Sequence, residues 1–224
     1  MKFLSSFAVT DSLTKYDFYE FIVWLKMKEI NIKNEGYIFC KSSFYSVHDI
    51  LENQTFDFTV GINKLVGEID SGIFGISYLI SMYDSVDKKS IFLPLEAKVD
   101  GINTKLSELA KQSCYMDVSY PLFSSNKSTI SLIGRGLKKS KLPYTVNDII
   151  NMFDIQSKNH LRSIKQTGNE KIKIMSAVGF AFGKQVFCFP WMSQKRYDSF
   201  NMHMDVSLNV LDSLKKIVIL PIGN

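Results

Sequence analysis

The sequence predicts an α/β fold built around a mostly parallel sheet, and three observations carry the prediction. A glycine frame, Gly67-Glu68-Ile69-Asp70-Ser71-Gly72-Ile73-Phe74, follows an apolar segment (Ile62, Leu65, Val66) and runs into the apolar stretch Ile76–Met82. Two runs further on, Val186-Phe187-Cys188-Phe189 and Ile217-Val218-Ile219-Leu220, are apolar without alternation. Strands buried on both faces read this way, and their alternation with helical segments is the pattern of a parallel sheet. Residues 36–66, by contrast, hold several short β-rich runs in succession.

Taken in order, residues 11–29 read as a helix with Asp11 or Ser12 as its cap. Phe18, Phe21, Ile22, Leu25 and Glu29 fall near one face, and Tyr19, Val23 and Trp24 widen its apolar belt. A helix so apolar all round must dock, on its own domain or on a partner or membrane surface. Strands are expected at Tyr37–Cys40, Phe44–Val47 and Thr55–Val60. Gly61 opens a buried strand that enters the glycine frame, and Ile76–Met82 is the helix after it. Ser90–Leu93 reads as a strand, Asp100-Gly101 as a turn, Leu106–Ala110 as a short helix and Cys114–Met116 as a strand. Helical patterns follow around Ile130–Ile133 and Val146–Phe153, with Pro143 and Asp148 marking a helix start. A helix from about Glu170 to Phe182, the strand Val186–Phe189, a helix over Val206–Leu214 and the last strand Ile217–Leu220 complete the chain.

The chain has 224 residues, 46% apolar and 22% charged, with a net charge of +5. That is ordinary globular composition for one domain, or one domain with a lobe. The charge is too small to argue for nucleic acid. Cys40, Cys114 and Cys188 are odd in number and far apart, and read as reduced core thiols rather than a disulfide or metal framework. His48, His160 and His203 are scattered and suggest no metal site. The opening MKFLSSFAVTDS lacks the long apolar region of a secretion signal, and no run reaches the roughly 20 apolar residues of a membrane span. The expected location is cytoplasmic.

Chemistry is sought first in the glycine frame. Two glycines four residues apart, after a strand and before a helix, outline a loop whose backbone N–H groups wrap phosphates. Such a loop requires Lys and then Ser or Thr after the second glycine, for the phosphates and for Mg²⁺. Those places hold Ile73 and Phe74. The plain alternative is a glycine turn between strand and helix. Asp198 and Asp205 near His203 read as a solvated face, and Lys138-Lys139-Ser140-Lys141 as a surface turn. The cysteines lack a paired base.

The order of these segments resembles the nucleotide-binding subunit of ATP-binding-cassette (ABC) transporters, with the active-site residues replaced. The resemblance spans about residues 36–223. It implies an ABC-ATPase-like, P-loop NTPase-like domain over 36–224, with an N-terminal antiparallel β-subdomain and a helical subdomain at about 119–168; residues 1–35 would be an extension. In the family an aromatic residue ahead of the phosphate loop stacks on adenine, and Phe44 or Tyr45 falls there. The loop itself corresponds to Gly67, Glu68, Asp70, Ser71, Gly72, Ile73 and Phe74. Asp117 or Val118 stands where the family has a Mg²⁺-binding Gln, and Asp117, Val118, Tyr120, Leu122 and Phe123 are the expected contacts to the membrane subunit. Thr167, Gly168, Asn169 and Glu170 occupy the place of the signature motif. Pro190 and Trp191 stand at the end of the Mg²⁺-binding strand, where no carboxylate remains, and Leu220-Pro221-Ile222-Gly223 lacks the switch His.

The replacements remove what phosphoryl transfer requires. Ile73 cannot neutralise phosphate, Phe74 cannot hold Mg²⁺, and Glu68 and Asp70 add repulsion. The resemblance therefore implies an inactive ATPase homologue with no cofactor of its own, ATP binding only weakly or through a partner subunit. The implied partners are a membrane-spanning transporter subunit and a second cassette, as a homodimer or as a heterodimer with an active ABC ATPase, on the inner face of the cell membrane. A stand-alone regulatory protein that keeps the fold is the second reading. An enzyme with an unrelated α/β site is the third.

Overall fold

The computed structural model describes residues 27–43, 45–86, 91–92 and 96–223. Its first sheet is antiparallel. Strands β1 (Glu29–Lys41) and β2 (Ser46–Thr59) form a long hairpin whose register shifts between Asn34 and Gly36. Both are longer than the short runs expected there. Short strands β4 (Ile91–Phe92) and β5 (Glu96–Val99) also pair with β1, and β6 (Ile102–Asn103) pairs with β5. The turn between the last two is Asp100-Gly101, as expected, with both residues at positive φ (49° and 76°). Asp100 Oδ1 accepts hydrogen bonds from the N–H groups of Lys28 (2.8 Å) and Glu29 (3.0 Å), which pins the start of β1.

Most of the helix expected at 11–29 lies outside the described residues, as does Phe44. Glu29 itself is strand, so the expected boundary between residues 35 and 36 falls inside β1. Met27 and Lys28 belong to no helix, and from Glu29 on the buried Ile30 and Ile32 follow a strand's alternation.

The second sheet is parallel. It runs β3-β9-β8-β7, with β3 at Gly61–Val66, β7 at Ser113–Tyr115, β8 at Val186–Cys188 and β9 at Ile217–Ile222. Every residue of β7, β8 and β9 is buried. β3 corrects the expectation of a buried strand: it is an edge strand with alternating exposure, and Val66 is 66% exposed. The sequence does not show this alternation, since the apolar Ile62 and Val66 share the exposed face with Lys64.

Helix α1 (Ile73–Met82) lies between the two sheets, and all ten of its residues are buried. A helix apolar on every side belongs in an interior. One side packs on Ile38 and Phe58 of the hairpin, the other on Tyr115, Cys188, Ile217 and Ile219 of the parallel sheet. Its two serines are satisfied internally: Ser77 Oγ donates to the Phe189 carbonyl (2.5 Å) and Ser81 Oγ to the Ser77 carbonyl (2.9 Å).

Helix α2 (Leu106–Gln112) leads directly into β7. The opposite face of the parallel sheet is covered by helical structure: α3 (Thr129–Ser140), α4 (Val146–Met152), α5 (Lys171–Ala181) and α6 (Gln194–Ser213). There Phe187, Val218 and Leu220 pack with Ile174, Val178, Leu208 and Leu211. Successive residues of β9 thus serve opposite cores, which is why its sequence is apolar without alternation. Helix α4 starts at a capping box formed by Thr145 and Asp148. Helix α6 begins at Gln194, well before the expected Val206, because its polar first turns carry no apolar stripe. Among the described residues no helix is long and apolar enough to cross a membrane.

Two glycines of α3 make the packing testable. A Cβ on Gly136 would lie 2.8 Å from the Ala181 carbonyl carbon and 2.9 Å from the Phe182 nitrogen, both backbone atoms at the end of α5. The nearest atom to a Cβ on Gly134 is Val146 Cγ2 at 3.6 Å, an ordinary contact. Chemical denaturation should show Gly136→Ala destabilising by about 1–3 kcal/mol through overpacking. Gly134→Ala should stabilise by up to about 1 kcal/mol through helix propensity.

Candidate functional site

The structure brings the glycine frame, Tyr45 and Trp191 together at the end of the parallel sheet where β3 and β9 stop. Gly67 donates to the Ile222 carbonyl (3.0 Å), continuing the pairing of β3 with β9. The chain then folds into a closed turn. Ser71 N–H (3.2 Å) and Ser71 Oγ (2.6 Å) both donate to the Glu68 carbonyl. A Cβ on Gly67 would sit 2.7 Å from Ser71 Oγ, so the serine fills the space inside the turn. Glu68 and Asp70 are exposed. Gly72 begins α1 at φ 88°, a conformation that favours glycine. Ile73 is 7% exposed and Phe74 is fully buried, so both are core.

One residue of this site went unnoticed in the sequence. Asp49 of β2 is fully buried and reaches the start of α1. Its Oδ1 accepts from the Gly72 N–H (2.9 Å) and its Oδ2 from the Gly75 N–H (2.5 Å). Carboxylates are favoured there because the free N–H groups and the helix dipole both present positive charge. A nucleotide phosphate would make the same interaction. The protein's own carboxylate therefore sits on N–H groups that a phosphate-binding loop would offer its ligand. Burial pushes the Asp49 carboxyl above its ordinary range, the N–H bonds oppose that rise, and the charge of Asp70 adds to it. The available signal was phase: Asp49 occupies an inward position of a strand whose neighbours His48 and Ile50 face out.

Trp191 closes the other side of the turn. Its indole Nε1 donates to the Gly67 carbonyl (3.0 Å), and its ring meets Tyr45 edge-on at 5.2 Å between centroids. Gly223 admits the ring, since a Cβ there would lie 2.5 Å from Trp191 Cζ2. Tyr45, one of the two residues expected as an adenine platform, is thus packed on the indole. Pro190 and Trp191 also line an apolar cleft of about 370 Å³ with Asp117, Val118, Gly168 and Asn169.

The residues expected to contact a membrane subunit divide. Asp117 is buried, and its Oδ2 accepts from the N–H (2.9 Å) and Oγ (2.6 Å) of Ser43 while Oδ1 accepts from the Ser119 N–H (2.9 Å). It clamps the β1–β2 connection to the loop after β7. Phe123 is fully buried, so neither residue is available to a partner. Val118, Tyr120 and Leu122 are half-buried against the core, with Tyr120 Oη donating to the Ser113 carbonyl (3.0 Å).

The segment expected as a signature lies just before α5. Thr167 is buried and its Oγ1 donates to the Ile164 carbonyl (2.7 Å), so the hydroxyl points back into the chain. Gly168 adopts φ 58° and is exposed with Asn169. Glu170 is buried, its Oε2 accepting from Asn159 Nδ2 (2.7 Å) and the Gln156 N–H (3.3 Å).

Among the described residues, no group of three His, Cys, Asp or Glu could hold a metal ion. All three cysteines are buried and unpaired by disulfides. Burial pushes the Cys114 thiol up to about 12 and those of Cys40 and Cys188 well above the ordinary range, the opposite of nucleophile activation. Asp198 accepts from Gln194 one turn earlier on the exposed side of α6. Lys138 and Lys139 form the last turn of α3, where cations suit the helix dipole.

No known protein-family profile matches the sequence, and no curated protein matches it either. Solved structures do match. A Pyrococcus furiosus protein described as an ABC transporter (ATP-binding protein) superposes with a TM-score of 0.55 at 12% identity, over 88% of this chain and 90% of that one. The fold is ABC-ATPase-like. A bacterial Atm1-family ABC exporter with ATP bound superposes with a TM-score of 0.53 at 11% identity, over 89% of this chain and 35% of the exporter chain.

Removing the internal carboxylate tests its role. Asp49→Ala leaves two buried N–H groups without their acceptor and should cost about 2–4 kcal/mol in urea denaturation. The cost should also depend on pH. The folded carboxyl titrates above its ordinary 3.8, so the folded state holds this proton more tightly than the unfolded chain. Stability from this group therefore grows as pH falls through the folded value and declines as pH rises through it. The gap between wild type and Asp49→Ala should be wider near pH 4 than near pH 7.

Proposed function

We propose that this chain is a non-catalytic ABC-ATPase-like subunit, with neither ATP hydrolysis nor an ATP site of its own. The observation that carries the proposal is the Asp49 carboxylate on the Gly72 and Gly75 N–H groups. A phosphate entering there would have to displace a buried carboxylate and meet its charge. Around it, every group that would handle nucleotide is turned to packing. Ile73 and Phe74 are core, Ser71 closes its own turn, and Trp191 engages Tyr45 and the Gly67 carbonyl. Filling a disused charged site with apolar side chains is the stable solution, since an unmatched buried charge is costly.

In this reading the chain acts as a structural or regulatory half of a transporter assembly on the inner face of the cell membrane. It pairs with a membrane-spanning subunit and with a second cassette, a copy of itself or an active ABC ATPase. The half-buried Val118 and Leu122 are the residues left to meet the membrane subunit. One observation favours the stand-alone alternative, a regulatory protein of the same fold. Thr167 and Glu170 both turn inward, so the segment before α5 offers only Gly168 and Asn169 to a nucleotide held by a facing subunit.

Calorimetry of the purified chain with Mg²⁺ and ATP should show no binding up to about 1 mM, with no phosphate release above background. Micromolar binding with Mg²⁺-dependent turnover would overturn the proposal. Fractionation of the source cell then separates the two readings. Co-purification with a multi-span membrane protein supports the transporter subunit, and recovery as a free chain supports the regulatory one.

A further inference from the structure

A second pocket, away from the glycine turn, has a chemistry of its own. It lies between α4 and α5, has a volume of about 410 Å³, and is lined by polar residues and Gly168 alone. At its floor are Asn159, 1% exposed, and Glu170, 4% exposed. They bond to each other through Asn159 Nδ2 and Glu170 Oε2 (2.7 Å), which leaves Asn159 Oδ1 and Glu170 Oε1 as buried acceptors without a partner among the described residues. Lys173, one turn further along α5, is committed to the side chain (2.7 Å) and carbonyl (3.1 Å) of Asp154. Among the described residues Glu170 has no ion pair. Unmatched buried acceptors of this kind are uncommon, and a carboxylate among them calls for a donor, best a charged one. Lys158 and Arg162 are exposed and line the same pocket.

We propose that this pocket binds a small zwitterion, a primary ammonium group with an anionic group a few bonds away. The ammonium donates to Glu170 Oε1 and Asn159 Oδ1, and the anionic group meets Lys158 and Arg162. An ammonium fits because it carries several donors in one compact group. The lining offers no ring to stack on and no apolar wall, so a nucleobase or an acyl chain has nothing to rest against. A phosphate on its own would face the two acceptors and be repelled. Two sources share the required chemistry: a free α-amino acid and a phosphoethanolamine headgroup.

The test is NMR titration of the ¹⁵N-labelled whole chain with glycine, phosphoethanolamine, ethylamine and inorganic phosphate. Glycine or phosphoethanolamine should shift amides around Asn159, Gly168 and Glu170 saturably, and whichever binds more tightly identifies the source. Glu170→Gln, which keeps shape but removes charge, should weaken that binding at least tenfold. Lys158→Ala and Arg162→Ala, both surface changes, should weaken the zwitterions while leaving ethylamine unaffected. The proposal is overturned if no amine shifts these amides, as when water alone serves the two acceptors. It is equally overturned if phosphate binds as well as the zwitterions, or if the surface variants bind them like wild type.

Discussion

Everything in this protein is arranged around the burial of α1 between two sheets. A helix ten residues long, with no exposed face, needs apolar surface on all sides. The antiparallel hairpin supplies one side and the parallel sheet the other. The helix start is a strongly polar feature inside this interior. Its N–H groups need an acceptor that comes with the scaffold, and Asp49 supplies it from β2. The carboxylate thus ties the two sheets together through the helix between them. Gly75 lets them close, since a Cβ there would be 2.7 Å from Ile38 Cγ2 and 3.2 Å from Asp49 Oδ2.

The same constraint shapes the rim of the parallel sheet. In an open α/β sheet the ends of the strands are where ligands are usually received. Here the ends of β3, β8 and β9 meet side chains of the protein. Trp191 spans from the Gly67 carbonyl to the face of Gly223, and Tyr45 packs on its ring. Asp117 uses both carboxylate oxygens to fasten the β1–β2 connection over this rim. The polar groups of Asp49, Asp117 and Trp191 are satisfied within the chain, and that separates them from the two acceptors in the pocket at Glu170, which are not.

Much of the architecture was legible in residue patterns. The doubly apolar β8 and β9, the helix after the glycine frame, the Asp100-Gly101 turn and the start of α4 all follow from rules that act over a few residues. The glycine frame also reads correctly as a strand–turn–helix junction. Where the reading slipped, the signal was ambiguous at short range. Glu29, at the end of an apolar periodic segment, belongs to β1, and the polar first half of α6 has no stripe to mark it. The edge position of β3 is a property of the sheet, not of the strand.

The sequence by itself determined the fold class, the helix after the glycine frame, and the residue identities Ile73, Phe74, Pro190 and Trp191 at the places where the resemblance expects a lysine, a hydroxyl and a carboxylate. These are matters of residue identity and local period. Only the tertiary structure decided what stands in their place. That Asp49 meets Gly72 and Gly75 across more than twenty residues of chain, that Trp191 meets Gly67, and that Glu170 and Asn159 share an acceptor-lined pocket depend on how separate elements pack. Hydrogen bonds of that kind are set by distance in space, and no local pattern in the sequence encodes them.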